Sequence, residues 1–233
     1  MDFLPLVLVL VLAAFGYVLF APLRQIVQFR RIPMLPIAAL PKSGQVKAMG
    51  RAGGSLIRSP ILDTPCVLWQ VEVQEYRGSG KNGQWVTILK QASSPPIEID
   101  DGTGRVWAVA SGAELVLDDD LRAAHGLFGN MTPQIEAAVE RIGVPLRGML
   151  GFKRSLRVRE WLIAPDEQIF ALGLAEEAAG QLRLCSTHDA PLIISDRSER
   201  ELLHALYREV SVSLVCAVVA VSIIIWLMAE GRL

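Results

Sequence analysis

The stretch "CVLWQVEVQEYR", residues 66–77, is the clearest strand signal in the chain and decides the class of fold. The apolar positions are Val67, Trp69, Val71 and Val73, and the polar positions between them are Gln70, Glu72 and Gln74. Because successive side chains of a strand point to opposite faces, this period of two predicts a half-buried β-strand. Pro60 and Pro65 frame a turn before the strand, and Asp63 is a residue type that caps such turns through its own backbone.

The sequence on both sides of this stretch continues the β pattern. "GQVKAMGRAGG" predicts a first strand that ends in glycines, and "GSGKNG" predicts a hairpin turn. Further strands are predicted at 84–93, 106–109, 156–163, 168–176 and 181–185, and one more strand contains Ile97 and Ile99. One helix interrupts them, with Thr132 as its N-cap, Pro133 in its first turn and Gly143 at its end. We therefore expect an all-β, OB-like barrel domain of about seven strands with one inserted helix, and a generic twisted β-barrel is the alternative.

Two uncharged apolar stretches flank this domain, Phe3–Leu23 and Val210–Met228. Roughly 20 helical residues cross a bilayer core of roughly 30 Å, so both stretches are predicted transmembrane α-helices. The first stretch lacks the basic region with which a signal peptide begins, and we expect it to remain as a span.

Positive residues beside the two spans predict the orientation of the protein. They are Arg24, Arg30 and Arg31 after the first span, and Arg197, Arg200 and Arg208 before the second. Because basic flanks favour the cytoplasmic side, we expect a cytoplasmic domain with both termini outside. The expected location is a bacterial inner (cytoplasmic) membrane, with the chain passing through it twice.

The expected organisation has four parts. They are a first transmembrane helix at 1–23, an interfacial linker at 24–43, the β domain at 44–195, and a helix at 196–229 that continues into the second span. Three prolines between residues 33 and 41 argue against a regular helix in that part of the linker. Asp196 with Glu199 has the spacing of a capping box at the start of the last helix.

Charge and metal-ligand content exclude several functional classes. The loop from Ala21 to Glu209 has 22 basic and 22 acidic residues, and a neutral domain is a poor nucleic-acid binder. The three Cys and three His show no zinc-ligand spacing, so no metal and no cofactor is expected. "DDGTGR" has too few oxygen ligands for a calcium loop and is interpreted as a hairpin turn. "DDD" at 118–120 is interpreted as a solvated loop or a helix start.

Four blocks of the sequence resemble, in order, the GIDE or "beside a membrane" domain of mitochondrial RING-type ubiquitin ligases and of bacterial membrane proteins. The blocks are "SPILDTPCVLWQVEVQEY", "IEIDDGTGRVWA", "REWLIAPDEQIFALGLA" and "PLIISDRSERELL", within roughly residues 44–203. The resemblance implies a structural motif made of Ser59, Pro60, Pro65, Cys66, Asp101, Gly102, Gly104, Glu160 and Trp161. The ligases carry a cysteine-rich RING after the second span. This sequence continues only to Leu233, so a bacterial-type member without a RING, and without ligase activity, is expected.

Cys66 is the residue on which an enzymatic interpretation depends. A nucleophilic thiol needs a base or a cationic neighbour to form the thiolate, and no His or cation stands close to Cys66 in the sequence. A buried structural Cys is therefore the main interpretation, with a Cys-dependent hydrolase as an alternative. No catalytic residue is assigned.

The basic run "KRSLRVREW" is the other notable group of side chains. Lys153, Arg154, Arg157 and Arg159 are candidates for contact with an anionic surface such as lipid headgroups, and a solvated strand face is the alternative. The sequence therefore favours a non-enzymatic two-span membrane protein whose β domain is an interaction or scaffold module. An accessory structural subunit of a large energy-transducing membrane complex, respiratory or photosynthetic, is the alternative. Membrane lipids and other membrane-protein subunits, bound through the spans, are the expected partners.

Overall fold

The computed structural model describes residues 4–78, 83–125, 131–148 and 151–229, without the side chains of 4–12, 14, 124–125 and 227–229. The chain divides into two compact units. The helical unit comprises Met1–Pro33 and Ser198–Leu233, and the β unit comprises Met34–Arg197. The predicted hairpin turn at 78–83 lies mostly outside the described residues.

Three α-helices are described: α1 Leu4–Arg31, α2 Pro133–Arg141 and α3 Glu199–Ala229. In the helical unit α1 packs against α3, and the Arg30 guanidinium lies 5.5 Å from the centre of the Tyr207 ring. Among the described residues one helical segment, Glu199–Trp226, has the length and apolar composition to cross a bilayer. It contains most of the predicted second span. The predicted first span is helical from Leu4 onward, but most of its side chains lie outside the description.

The boundary between the first helix and the linker differs from the prediction. Residues 24–31, predicted as linker, are the last two turns of α1. This segment, RQIVQFRR, contains neither Pro nor Gly, so nothing in it interrupts the helix. The helix ends at Arg31 because Pro33 disfavours the helical conformation of the residue before it. The rest of the linker forms a bridge from Met34 to Lys47 and a short 3-10 turn at Ile37–Ala39.

The start of the last helix is also capped differently from the prediction. The capping box pairs Ser198 with Glu201: Glu201 N–H donates to Ser198 Oγ at 3.3 Å, and Ser198 N–H donates to Glu201 Oε2 at 2.8 Å. Asp196 instead accepts a hydrogen bond from Asp118 N–H at 2.7 Å. The predicted Asp196–Glu199 box was thus displaced by two residues, because a second acceptable S-x-x-E spacing overlaps it.

The β unit contains thirteen described strands. They are β1 Ser43–Gly54, β2 Ile57–Arg58, β3 Pro65–Cys66, β4 Leu68–Arg77, β5 Gln84–Ala92, β6 Pro96–Asp100, β7 Arg105–Val109, β8 Glu114–Val116, β9 Leu121–His125, β10 Leu156–Ile163, β11 Gln168–Ala178, β12 Gln181–Cys185 and β13 Ile193–Ser195. The strands at 156–163 and 181–185 have the predicted bounds, and the others named above occur within a few residues of theirs.

Five of these strands close into a barrel, in the order β1, β6, β7, β12, β11 and back to β1. The long strand β1 closes the ring because its first part pairs with β11 and its last part pairs with β6. Gly50 lies just before this change of partner, where a Cβ atom would stand 2.5 Å from Asp100 O. Only glycine lets the two backbones approach this closely. The predicted barrel with an inserted helix is confirmed, but the described β unit has thirteen strands and not about seven.

A second sheet, in the order β5, β4, β10, β9, was not anticipated as a separate layer. Its strands come from two insertions into the barrel: β4 and β5 lie in the segment between β1 and β6, and β9 and β10 lie, with α2, in the segment between β7 and β11. One face of the sheet carries Val71, Val73 and Val158, which form a core with Val139 of α2. The barrel has its own core, which includes Val46, Ile97, Ile99, Leu184 and Ile194.

Candidate functional site

The carboxylate of Glu160 anchors the turn between β2 and β3. Glu160 lies in β10, and its side chain accepts hydrogen bonds from Ser59 Oγ (3.2 Å), Ile61 N–H (2.9 Å) and Leu62 N–H (2.8 Å). Within the turn, Ser59 N–H donates to Thr64 O at 3.0 Å and Thr64 N–H donates to Ser59 Oγ at 3.3 Å. Residues about 100 positions apart in the sequence are therefore joined by one buried hydrogen-bond network.

The Glu160 side chain has no exposed surface, and this burial shifts its pKa. Burial raises the pKa of Glu160, the donors from Ile61, Leu62 and Ser59 act in the opposite direction, and the nearby Asp120 raises it further. The three donors directed at Glu160 make it an acceptor that holds the turn in place. A general base would need an oxygen that a substrate can reach, and Glu160 has no exposed surface.

Cys66 lies beside this network and is fully buried. Burial raises the pKa of the Cys66 thiol to about 11, and the carboxylates of Glu160 and Asp120 act in the same direction. Its sulfur lies 3.7 Å from Ile57 O, the geometry of a weak S–H donor. Because the thiolate is the nucleophilic form, these surroundings favour an inert structural thiol.

The remaining residues of the predicted motif near this turn have packing roles. Pro65 in β3 pairs with Arg58, which contacts Asp63 across the turn at 2.7 Å through Asp63 O. Asp63 has a φ of +53°, in the left-handed region, as a tight turn requires. Pro60 lies inside the turn, and Trp161 is buried in the barrel core cluster.

The second group of motif residues, in the turn between β6 and β7, holds the linker. The Asp101 carboxylate accepts hydrogen bonds from Ile37 N–H (2.8 Å), from Thr103 N–H (2.8 Å) and from Gly104 N–H (3.1 Å). Gly102 has a φ of +82°, and a Cβ atom on Gly104 would lie 3.1 Å from Ala38 N. This turn is thus shaped to receive the backbone of the linker.

The donors around Asp101 make its ionised form favourable. Burial opposes ionisation, but the hydrogen bonds from Ile37, Thr103 and Gly104 outweigh it and lower the pKa of Asp101 to about 2. An open cleft of about 1130 Å³ lies beside the turn, lined by Met34, Met49, Arg51, Asp101 and Arg105 among others. The predicted hairpin turn at "DDGTGR" is confirmed, and its conspicuous carboxylate is used to bind the chain's own linker.

The structure separates the four basic residues that the sequence grouped together. Arg154 is engaged by Glu75, with Nε 2.6 Å from Oε1, and also donates to Pro145 O at 2.9 Å. Arg157 and Arg159 share one face of β10, opposite Gln74 and Glu72 of β4. Lys153 is exposed in the segment before the strand. Only the Arg157–Arg159 pair has the common face that the strand period predicted.

The basic residues that predict the membrane orientation of the chain lie in both units. Arg24, Arg30 and Arg31 are exposed on α1, and Arg200 and Arg208 are exposed on α3. Arg197, at the end of the β unit, contacts Asp118. The structure therefore gives Arg197 a structural contact that the charge pattern did not suggest.

Several important residues were not identified from the sequence. Asp120 accepts a hydrogen bond from Leu162 N–H at 2.8 Å, and Asp119 contacts Arg122. The "DDD" run is therefore a loop whose carboxylates bind neighbouring segments, and the interpretation as a helix start is wrong. The Arg157 guanidinium lies 4.2 Å from the centre of the Trp85 ring. The sequence pattern identified Trp85 only as part of a strand. The Asp120–Leu162 and Trp85–Arg157 pairs have no local sequence signal, because their members are distant along the chain. Asp119 and Arg122 are three residues apart, and only their opposite charges could have indicated this contact.

Metal-ligating side chains do not cluster in the described part of the chain, where no group of three or more His, Cys, Asp or Glu is arranged to hold an ion. The described geometry at both motif turns is that of backbone anchoring. Ser59, Cys66 and Glu160 support the β2–β3 turn, and Asp101 with its glycines supports the linker.

Comparison with known proteins assigns the family. The family model named GIDE, described as E3 ubiquitin ligase, matches residues 70–228. The match includes Asp101, Gly102, Gly104, Glu160 and Trp161, and it extends into α3, whereas Ser59–Cys66 lie before it. Searches of curated proteins and of solved structures returned no match. Because the match covers more than half of the sequence, including three of the four sequence blocks described above in full, the chain belongs to the GIDE family.

Proposed function

We propose that this GIDE protein is a non-enzymatic membrane protein whose OB-like β unit acts as an interaction or scaffold module. The observation that supports the proposal is what the motif side chains are hydrogen-bonded to. Ser59, Cys66, Asp101 and Glu160 are the motif groups capable of chemistry, and each is bonded to the protein's own backbone or to another motif residue. Because these side chains hold the protein's own turns in place, the domain has a rigid surface that a partner can contact.

The order of the barrel strands supports the OB-like part of the proposal. A five-stranded Greek-key barrel is the architecture of that fold class. Here the long β1 pairs with both β6 and β11, and β12 returns to pair in parallel with β7.

Two spans are proposed as the membrane anchor. The apolar α3 segment supports the second span, and the uncharged sequence Phe3–Leu23 supports the first. The basic residues that follow the first span and precede the apolar part of α3 favour a cytoplasmic β unit in a bacterial inner membrane. A cysteine introduced by Ser111→Cys, at an exposed position of the β unit, tests this orientation. In intact cells a membrane-impermeant maleimide should not label it beyond the parent chain, and strong labelling would reverse the topology.

The alternative role as an accessory subunit of an energy-transducing complex is favoured by small residues in α3. The hydroxyls of Ser211 and Ser222 donate to Tyr207 O and Val218 O, both at 2.8 Å, so they are satisfied inside the helix. Small side chains satisfied in this way let a neighbouring helix approach closely. A complex held through α3 is therefore a second route to protein partners.

Neither catalytic alternative receives comparable support. The hydrolase alternative needs a thiolate at Cys66, and the surroundings of that thiol raise its pKa to about 11. The family description is that of a ubiquitin ligase, and a RING holds zinc through Cys and His ligands. Ligase activity is not part of our proposal.

Affinity purification of the tagged full chain in mild detergent, followed by mass spectrometry, tests the scaffold role. We expect one or more membrane-associated proteins in a constant ratio to the chain, and Cys66→Ala should retain them as long as it folds. Purification of the chain alone would contradict the scaffold role. A Cys66→Ala chain that keeps its melting temperature but loses cellular function would contradict the non-enzymatic interpretation.

A further inference from the structure

One end of the second sheet presents aromatic rings together with a cation. The end is formed by the last residues of β4, the first residues of β5 and the first residues of β10. The Tyr76 and Trp85 rings meet edge to face with centroids 5.4 Å apart. Arg157 reaches across β4 from β10 and places its guanidinium 4.2 Å from the centre of the Trp85 ring. Trp85 keeps 37% of its surface exposed.

Phe152 adds a large apolar side chain at the same end. Its side chain is 74% exposed, although the backbone around it is ordered by hydrogen bonds. Gly148 N–H donates to Phe152 O, and Arg154 N–H donates to Leu146 O, both at 2.9 Å. Three residues after Phe152, Ser155 O accepts a hydrogen bond from Tyr76 N–H at 2.9 Å, which ties this segment to the end of the sheet.

The charges at this end are predominantly positive. The cations are Arg77, Arg147, Lys153, Arg154 and Arg157. Among them, Arg154 and Arg77 contact the carboxylate of Glu75, at 2.6 Å and 3.0 Å. This one carboxylate offsets only part of the positive charge of the five residues.

We propose that this end, comprising Tyr76, Trp85, Phe152, Lys153 and Arg157 and called here the aromatic end, docks on an anionic lipid bilayer. Trp and Tyr rings favour the membrane–water interface because one edge is polar and the body is apolar. Phe152 enters the acyl boundary, and Lys153 and Arg157 meet the anionic headgroups. An acidic protein segment would satisfy the cations but would leave the Phe152 ring without an apolar environment.

This inference does not depend on the scaffold role, because the aromatic end uses none of the motif residues. It also narrows the basic group predicted from the sequence. Lys153 and Arg157 remain as lipid contacts, Arg154 is held by Glu75, and Arg159 lies further along β10 opposite Glu72. The surface is therefore defined by the aromatic residues that accompany two of the four cations.

The test uses the full chain in two arrangements. In the first, the chain is held in phosphatidylcholine nanodiscs and mixed at low salt with separate vesicles of phosphatidylcholine, with or without phosphatidylglycerol, and flotation reports binding. In the second, the chain carries Trp226→Phe and is reconstituted in bilayers with brominated lipids. The difference between Trp85 and Trp85→Phe chains then reports whether Trp85 reaches lipid of its own membrane.

We expect phosphatidylglycerol-dependent flotation or phosphatidylglycerol-dependent quenching of Trp85, and a sharp loss in specific variants. Replacing both cations, Lys153→Gln with Arg157→Gln, should weaken vesicle binding roughly 30-fold, from about 1 kcal/mol per cation and 1.4 kcal/mol per tenfold. Phe152→Ser should weaken it about tenfold, and its exposed position leaves the fold intact. High salt should reduce the contribution of the cations.

Matched controls come from exposed positions elsewhere in the β unit. Leu56, 64% exposed, gives Leu56→Ser, and Arg51 gives Arg51→Gln; neither should alter flotation or quenching. The proposal is overturned if neither arrangement responds to phosphatidylglycerol, or if the controls lose binding as much as the variants. Binding to polyglutamate without binding to vesicles would also overturn it and would identify an acidic protein segment as the partner. Because the pull-down with protein partners is a separate readout, failure of the scaffold role leaves this test unaffected.

Discussion

Removing the Glu160 carboxylate should release the β2–β3 turn and destabilise the β unit. In the native structure this side chain has no exposed surface, and it accepts hydrogen bonds from Ile61 N–H and Leu62 N–H at 2.9 Å and 2.8 Å. Glu160→Ala leaves both backbone donors without an acceptor. The Ser59 hydroxyl, the third donor, also loses its acceptor, although its oxygen still accepts a hydrogen bond from Thr64 N–H at 3.3 Å.

The expected magnitude follows from the two orphaned amides. A buried donor left unsatisfied costs about 1 to 3 kcal/mol, and Leu62 is partly exposed so that water can replace one acceptor. We therefore expect Glu160→Ala to lower the free energy of unfolding by about 2 to 5 kcal/mol. Glu160→Gln keeps one carbonyl acceptor and should cost about 1 to 2 kcal/mol near pH 4.5.

The cost of Glu160→Gln should depend on pH. Burial, reinforced by Asp120, raises the pKa of Glu160 above its ordinary value of 4.5, so the native state binds this proton more tightly than the unfolded chain. The resulting stabilisation is fully present below pH 4.5 and is lost as the pH rises through the folded-state pKa. Glutamine does not titrate, so the difference in stability between wild type and Glu160→Gln should shrink from pH 4.5 toward neutrality.

Urea unfolding of the full chain in detergent micelles, followed by tryptophan emission, measures both effects. Glu114→Gln is the matched control, because Glu114 is exposed in β8, and it should change the free energy by no more than about 0.5 kcal/mol. A Glu160→Ala chain as stable as the control would refute the anchoring role. A constant difference between wild type and Glu160→Gln across this pH range would refute the raised pKa.

Four further predictions concern Cys66, Asp101 and Arg154. Cys66→Ala should cost about 1 to 2 kcal/mol by denaturation and Cys66→Ser more, because a hydroxyl would be buried. With a pKa of about 11 against an ordinary 9.0, the thiol should react with iodoacetamide at pH 8 at least about 100-fold more slowly than an exposed cysteine, and rapid alkylation in the folded chain would contradict this. Asp101→Ala should loosen the linker. Because the pKa of Asp101 is lowered to about 2, the stabilisation from this carboxylate is present above pH 3.8 and is lost as the pH falls toward 2. The acid unfolding of wild type and variant should therefore converge as the pH approaches 2. Arg154→Ala should return the Glu75 pKa from about 2 toward 4.5, which NMR titration of the side-chain carboxyl detects, and an unchanged pKa would show that Arg77 alone maintains it.

Local periodicity predicted much of the fold. The alternation in residues 66–77 identified β4 and the burial of Val71 and Val73, because a strand with one covered face must place apolar residues at every second position. Thr132 was identified as the N-cap of α2, where its hydroxyl accepts a hydrogen bond from Ile135 N–H at 3.4 Å. These features depend on neighbours a few residues away, so the sequence contains the whole signal.

The sequence by itself determined the β class, the inserted helix, the apolar α3 segment and the motif residues, since each depends on local chemistry or composition. The tertiary structure decided what those residues contact. Alternation assigns Glu160 to a face of β10 but does not show that a turn around 100 residues earlier covers it. The basic run "KRSLRVREW" groups Arg154 with Arg157, although only Arg154 contacts Glu75. Such pairings follow from how two insertions combine into one sheet, and that register is set by the sum of many weak long-range contacts. No short segment of the chain encodes that sum, and for this reason the anchoring of the turns and the aromatic end became visible only in the folded protein.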